Sequence, residues 1–334
     1  MAFATAVTPK NESSENKINW DDLNKYVVDT AELTEKQTVI GIVSSIIDLG
    51  IQAQPDSEFV FTGTEKQEEE EIAKDSSVYF ETKWDYDSNS EKRFKCKPQK
   101  DKQSITMTVD LPSIIVDKGK FFGESKPLPL RIVMGSQFFI KDVGHVVARP
   151  IALKESTKID GKNWSLDKKS TLHKMAVSAR IIGANDNFPS SRIDEILGHA
   201  FLFEVRVYFK KSKDSKSEYF TEEIKFLGPV MKGMPIPEYN LEPALIQFPG
   251  PNKDEDVANI RNHVVNTIRL AKNFSGSELE AQLERVKGSK QKEEAETPAE
   301  EKAPAAKATK PKVTKPAKAE ESNPFDDMDG DIPF

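Results

Sequence analysis

Arg206, Tyr208 and Lys210 alternate with the apolar residues Phe201, Phe203, Val205, Val207 and Phe209. An alternation of period two builds a strand with one apolar face and, here, one face carrying an aromatic ring between two cations. Rings in that setting stack on nucleobases, at about 1–3 kcal/mol per base, and the cations neutralise phosphates. A second run, 219–227, sets Phe220, Ile224 and Phe226 on one side and Tyr219, Thr221 and Lys225 on the other. A third candidate place is the run 78–86, where Trp84 and Tyr86 share a face with Val78 and Phe80. The basic stretch 92–100 follows it and contains Arg93, Phe94, Lys95 and Lys97. Core packing is the competing reading for Trp84 and Tyr86. A solvated loop is the competing reading for Lys210, Lys211 and Lys213.

Catalytic chemistry finds less support. The 119–123 stretch lacks the Gly-Lys-Ser/Thr ending that a phosphate-cradling loop requires. His145, His173, His199 and His263 are scattered, and Cys96 has no ligand partner nearby in sequence, which argues against zinc. Asp117, Asp142 and Asp160 could gather a metal for a nuclease, but nothing in their spacing favours that over turn residues. The expectation is a binding protein with no catalytic residues, no metal and no cofactor.

The net charge of −7 hides a segregated distribution. Acids concentrate at 68–71, 293–301 and the extreme C-terminus, leaving a body closer to neutral with local basic runs. A single cysteine suits a reducing cytoplasm, and no stretch is long and apolar enough for a membrane span. Period and capping predict a helix over 20–32 and a long strand over 36–50 that Gly41 can bend. They predict an acidic loop at 65–77, strands at 78–86, 104–109, 128–139 and 143–153, and a polar connection at 154–170. A helix over 171–182 precedes the two strong strands 201–209 and 219–227, joined by a basic loop. A Pro-rich wrap, 228–251, leads to a helix capped by Asn252 with the stripe Val257, Ile260, Val264, Ile268 and Ala271. A shorter helix capped at Ser275 follows. From Gly288 the Lys/Glu/Ala/Pro-rich composition predicts a disordered tether reaching on the order of 100 Å.

The chain ends in Asn323-Pro324-Phe325-Asp326-Asp327-Met328-Asp329-Gly330-Asp331-Ile332-Pro333-Phe334. Four aspartates steer such a peptide toward a basic surface. Pro333 restricts the backbone, and Phe334 offers a ring and a terminal carboxylate to an apolar pocket rimmed by a cation. This ending resembles the acidic tip of bacterial single-stranded DNA-binding proteins (SSBs), although Gly330 interrupts the acid run. The segment Val43-Ser44-Ser45-Ile46-Ile47-Asp48-Leu49-Gly50-Ile51-Gln52 is similar to the first strand of phage-encoded SSBs. The passage from Ile193 through Leu197-Gly198 to Phe201 is similar to their entry into a core strand.

The resemblance implies a mainly β OB-fold barrel with long insertions, added C-terminal helices and a disordered acidic tail. Expected boundaries are an N-terminal extension (1–35), an OB-fold binding domain (36–235), a Pro-rich and helical extension (236–287), a linker (288–322) and the tip (323–334). The implied partners are single-stranded DNA, held without strong sequence preference, and replication proteins such as a polymerase, primase or helicase. Asp326, Asp327, Asp329, Asp331, Ile332, Pro333 and Phe334 would recruit those proteins. A homo-oligomer is compatible with this organisation, no membrane is expected, and the location would be the cytoplasm, that of a bacterial host for a phage-encoded chain. A strand-annealing or adaptor protein is the alternative of a different class.

Overall fold

The computed structural model describes residues 18–85, 88–135, 138–140, 143–159, 163–211 and 217–295. The chain begins with α1 (Trp20–Ala31), β1 (Gln37–Gln52), β2 (Ser57–Val60), α2 (Glu65–Lys74), β3 (Tyr79–Asp85), β4 (Ser90–Lys97) and β5 (Lys102–Val116). Six short strands follow: β6 (Leu128–Val133), β7 (Phe138–Ile140), β8 (Gly144–Val146), β9 (Ile151–Ala152), β10 (Glu155–Ile159) and β11 (Asn163–Leu166). Then come α3 (Thr171–Ser178), β12 (Ala200–Lys211), β13 (Glu218–Pro229) and β14 (Ala244–Ile246). Three helices, α4 (Asp254–Ala258), α5 (Asn262–Arg269) and α6 (Glu278–Ala295), close the described chain.

The long strand β1 organises the molecule. Its first half pairs antiparallel with β12 and its second half antiparallel with β5, so it must change partners along its length. Gly41 sits where that change begins. A Cβ there would lie 2.5 Å from Val109 Cγ1 and 2.9 Å from Phe203 Cδ2, so the strands close only over glycine. Further along, two register shifts against β5 coil the strand, the second at Gly50, whose φ of 75° is left-handed.

The result is a mainly β molecule built on a large sheet in the order β13-β12-β1-β5-β6, with β14 and β9 attached to β1 and β5. This sheet is open, not the closed barrel expected from the sequence. Arg149 spans the gap between its edges. Its Nη1 donates to the Val133 carbonyl on β6 (3.0 Å) and to the Glu222 carbonyl on β13 (3.3 Å), so a side chain joins the two edges.

One face of the sheet packs Phe201, Phe203, Val205 and Val207 against Met107, Leu111, Leu130, Phe188 and the α1 residues Leu23, Val27 and Val28. Helix α1 therefore contributes to the main core. Ile47 and Leu49 lie in a second core with Ile246, Phe248, Val257, Val264, Ile268 and Leu283 from the C-terminal segment. No described helix is long and apolar enough to cross a membrane.

Several local expectations are corrected. The predicted acidic loop is the helix α2, started by a Thr64/Gln67 capping box. The polar connection contains the β10–β11 hairpin. The single strand expected over 143–153 breaks into β8 and β9, because Arg149 adopts a left-handed φ of 51°. The helix expected from Asn252 divides into α4 and α5 at Arg261, whose ψ of 144° is extended. Asn252 does not cap it; its side chain bonds Gln247 and Gln282 instead. Helix α6 starts on a Ser277/Glu280 pair and runs on to Ala295, beyond the expected start of the tether at Gly288. The Lys/Gln/Glu/Ala sequence there has high intrinsic helix propensity.

Candidate nucleic-acid interface

Strands β12 and β13 bring most of one predicted cluster together. Arg206, Tyr208 and Lys210 alternate outward on β12, and Lys210 pairs in register with Tyr219, as Glu204 does with Lys225. Their inward neighbours Phe203, Val205 and Val207 are fully buried, so Tyr208 is not needed to fill the core. Its ring lies 3.9 Å beneath the Arg206 guanidinium, and its hydroxyl donates to Glu223 at 2.7 Å. That bond, helped by desolvation, raises the Tyr208 pKa. Arg206 Nε is anchored on the Thr34 carbonyl at 2.8 Å, and Lys36 pairs with Glu204 at 3.0 Å. Glu204 and Glu223 thus temper a face that carries Lys36, Arg206, Lys210 and Lys225.

The other predicted cluster is placed differently. In the sheet β2-β4-β3, Trp84 shares a face with Arg93 and Lys95, while Phe94 points to the opposite face beside Glu81. Trp84 is 48% exposed and does not serve the core. The cations are occupied. Arg93 makes a bidentate pair with Glu68 (2.8 and 2.7 Å), Lys95 pairs with Glu71, and Lys97 with Asp75 (2.6 Å). Hydrogen bonds from Arg93, Lys95 and Lys97 hold Glu68, Glu71 and Asp75 below their ordinary pKa values. These pairs therefore contribute at neutral pH and are lost as the pH falls below the usual carboxylate range. Tyr86, Lys213 and the whole tip from Asp326 to Phe334 lie outside the described residues.

A further cationic cluster was not legible in the sequence. It draws Lys118 from the loop after β5, Arg131 from β6, Arg149 from the turn before β9, and Arg261 and His263 from the start of α5. Arg131 is committed: Nε and Nη2 donate to the Asp110 carboxylate at 2.7 and 2.9 Å. Asp110 is buried and also accepts from Ser44 (2.9 Å) and Tyr239 (2.9 Å).

Lys118, Arg149 and Arg261 have no carboxylate within ion-pair distance among the described residues. Arg261 is exposed and Lys118 half-exposed, yet both are crowded enough by protein for desolvation to push their pKa values down. Both cations thus stand close among protein atoms while keeping some access to solvent. Glu222 offsets the shift on both, while Arg131 adds to it on both. With Asp110 already shared among its donors, positive charge is in excess there. Each cation is placed by rigid neighbours. Asp117 accepts from the backbone of Lys126 and from Ser125, and the Lys120 ammonium sits 3.2 Å from the centre of the Tyr26 ring. The Arg261 carbonyl accepts from Val264 and Val265 as α5 begins.

Desolvation, reinforced by Arg261 and Arg149, drives the His263 pKa down to about 4. An unfolded histidine takes up its proton near pH ~6.5, so this group's contribution to stability is complete above that value and declines as the pH falls toward 4. An NMR titration of the imidazole is expected to show a midpoint near 4. That midpoint should move upward once an oligonucleotide places phosphates beside Arg261 and Arg149. An unmoved midpoint at saturation would put the phosphates elsewhere.

No protein-family model matches the chain, and no match is found among curated proteins or solved structures.

Proposed function

We propose that the protein binds single-stranded DNA with little sequence preference, protecting it during replication, recombination and repair. In this reading it is a single-stranded DNA-binding protein of the phage-encoded type. The tip from Asp326 to Phe334 recruits replication proteins. The observation that carries the reading is the convergence of Lys118, Arg149 and Arg261, none of which pairs with a carboxylate among the described residues. Cations that repel one another and are partly desolvated gain most from a ligand with several phosphates. The outward face with Tyr208 and Tyr219 adds rings on which unpaired bases can stack, a contact that duplex DNA does not offer. The same proposal takes the sheet as an opened OB arrangement. The coiled β1, shared between β12 and β5, supports that assignment.

The test is a fluorescence titration of the full chain with single-stranded and duplex oligonucleotides at low and high salt. Preference for the single strand, weakening as salt rises, is expected. Tyr208→Ala should lose about 1–3 kcal/mol of binding while the fold survives. Loss of fold with unchanged affinity per folded molecule would make that ring structural. Equal affinity for duplex would overturn the proposal, and equal pull-down of replication proteins by wild type and Phe334→Ala would overturn the role of the tip.

A further inference from the structure

Helix α2 is attached in an unusual way: none of its residues is buried. Ile72, its one large aliphatic residue, is 43% exposed. What holds the helix to the β3–β4 face is the row of ion pairs from Glu68, Glu71 and Asp75 to Arg93, Lys95 and Lys97. Glu68 and Glu71 lie one turn apart on the helix and Asp75 follows its last residue, so the row spans roughly 10 Å. The three cations recur at every second strand position, a span of roughly 13 Å. The two rows match, and the helix presents a line of anions to a line of cations as a phosphodiester backbone would. Under it lies a cavity of about 480 Å³ lined by Phe59, Val78, Lys74 and Lys95 among others, so the helix does not seal the sheet. The covered face also holds aromatic rings. Arg93 lies 5.9 Å over Phe80, and Trp84 continues the row into solvent.

We propose that α2 is a displaceable acidic cover, and that the face beneath it is a second contact surface for single-stranded DNA. Phosphates replace Glu68, Glu71 and Asp75 on Arg93, Lys95 and Lys97, and Trp84 and Phe80 take bases. Partly exposed ion pairs of this kind are individually weak, so a polyanion can compete for their cations. The inference rests on the single-stranded DNA reading.

The test compares the full-length wild type with two triple variants of equal charge change. One, Glu68→Gln/Glu71→Gln/Asp75→Asn, removes the cover's anions. The other, Glu69→Gln/Glu70→Gln/Glu284→Gln, removes exposed acids that do not touch β4. The first is expected to bind oligo(dT) on the order of tenfold more tightly, because it has no ion pairs to give up before the phosphates bind. The second should stay close to wild type. Equal behaviour of the two variants, in a background where wild type binds, would overturn the cover alone. Failure of wild type to bind oligo(dT) would overturn the functional reading itself. Hydrogen exchange on wild type gives an answer independent of whether the variants fold. Amides of α2 should lose protection when saturating oligo(dT) is added, and unchanged protection in the saturated complex would overturn the displacement.

Discussion

Replacing Asp110 with alanine is expected to lower the unfolding free energy by about 3–5 kcal/mol. The carboxylate is buried at the junction of β1, β5 and β6 and collects donors from Arg131, Ser44 and Tyr239. Removing it leaves the Arg131 charge without its carboxylate and near Lys118 and Arg261, which it already repels. Asn keeps the shape and part of the acceptor capacity, so Asp110→Asn should cost less. Urea denaturation of the three proteins measures the difference directly. A loss under about 1 kcal/mol for the alanine variant would mean that Arg131 is adequately solvated without its partner. The raised pKa of Arg131, caused first by its bond to Asp110, is consistent with a pair that is fixed rather than available to ligand.

Lys118→Gln combined with Arg261→Gln should have the largest effect on binding. Charged hydrogen bonds to phosphate are worth roughly 1.5 kcal/mol each at the low end, so the pair should weaken single-stranded DNA binding about a hundredfold. The slope of log affinity against log salt should fall by about 1.4, the value for two lost phosphate contacts on a single strand. Stability should hold or rise, because desolvation and the neighbouring arginines already disfavour both charges in the free protein. Affinity titrations at several salt concentrations, with thermal unfolding alongside, read all three quantities. Unchanged affinity and slope would move the backbone path to the β12–β13 face. Arg149 is the less useful substitution, since it also bonds the carbonyls of the two sheet edges.

The alternation in 201–209 and 219–227 was enough to place the β12–β13 pair, its inward core and its outward Arg206, Tyr208, Tyr219 and Lys225. The same holds for α1, for the coiled β1 with its necessary Gly41, and for the apolar stripe that seats α4 and α5. Each is encoded by neighbours a few residues apart, because side-chain direction repeats every two residues in a strand and about every 3.6 in a helix. Capping was legible to within a few residues but not in detail: the cap expected at Ser275 falls on Ser277, and Asn252 serves a tertiary bond instead.

Charge was the least legible property. The basic run 92–100 read as a candidate binding surface and 65–77 as an acidic loop, but the fold sets one against the other, pair by pair. Conversely, Lys118, Arg149 and Arg261 stand alone in unremarkable sequence and converge only because β5, the turn before β9 and the start of α5 meet. The opening between β6 and β13, bridged by a side chain from a remote turn, was likewise invisible. Local sequence determined which residues point inward and where elements begin, since those follow from backbone period and capping. Which charges are neutralised, and which are left facing solvent, depends on Coulomb interactions between segments far apart in the chain, so only the tertiary structure decided it.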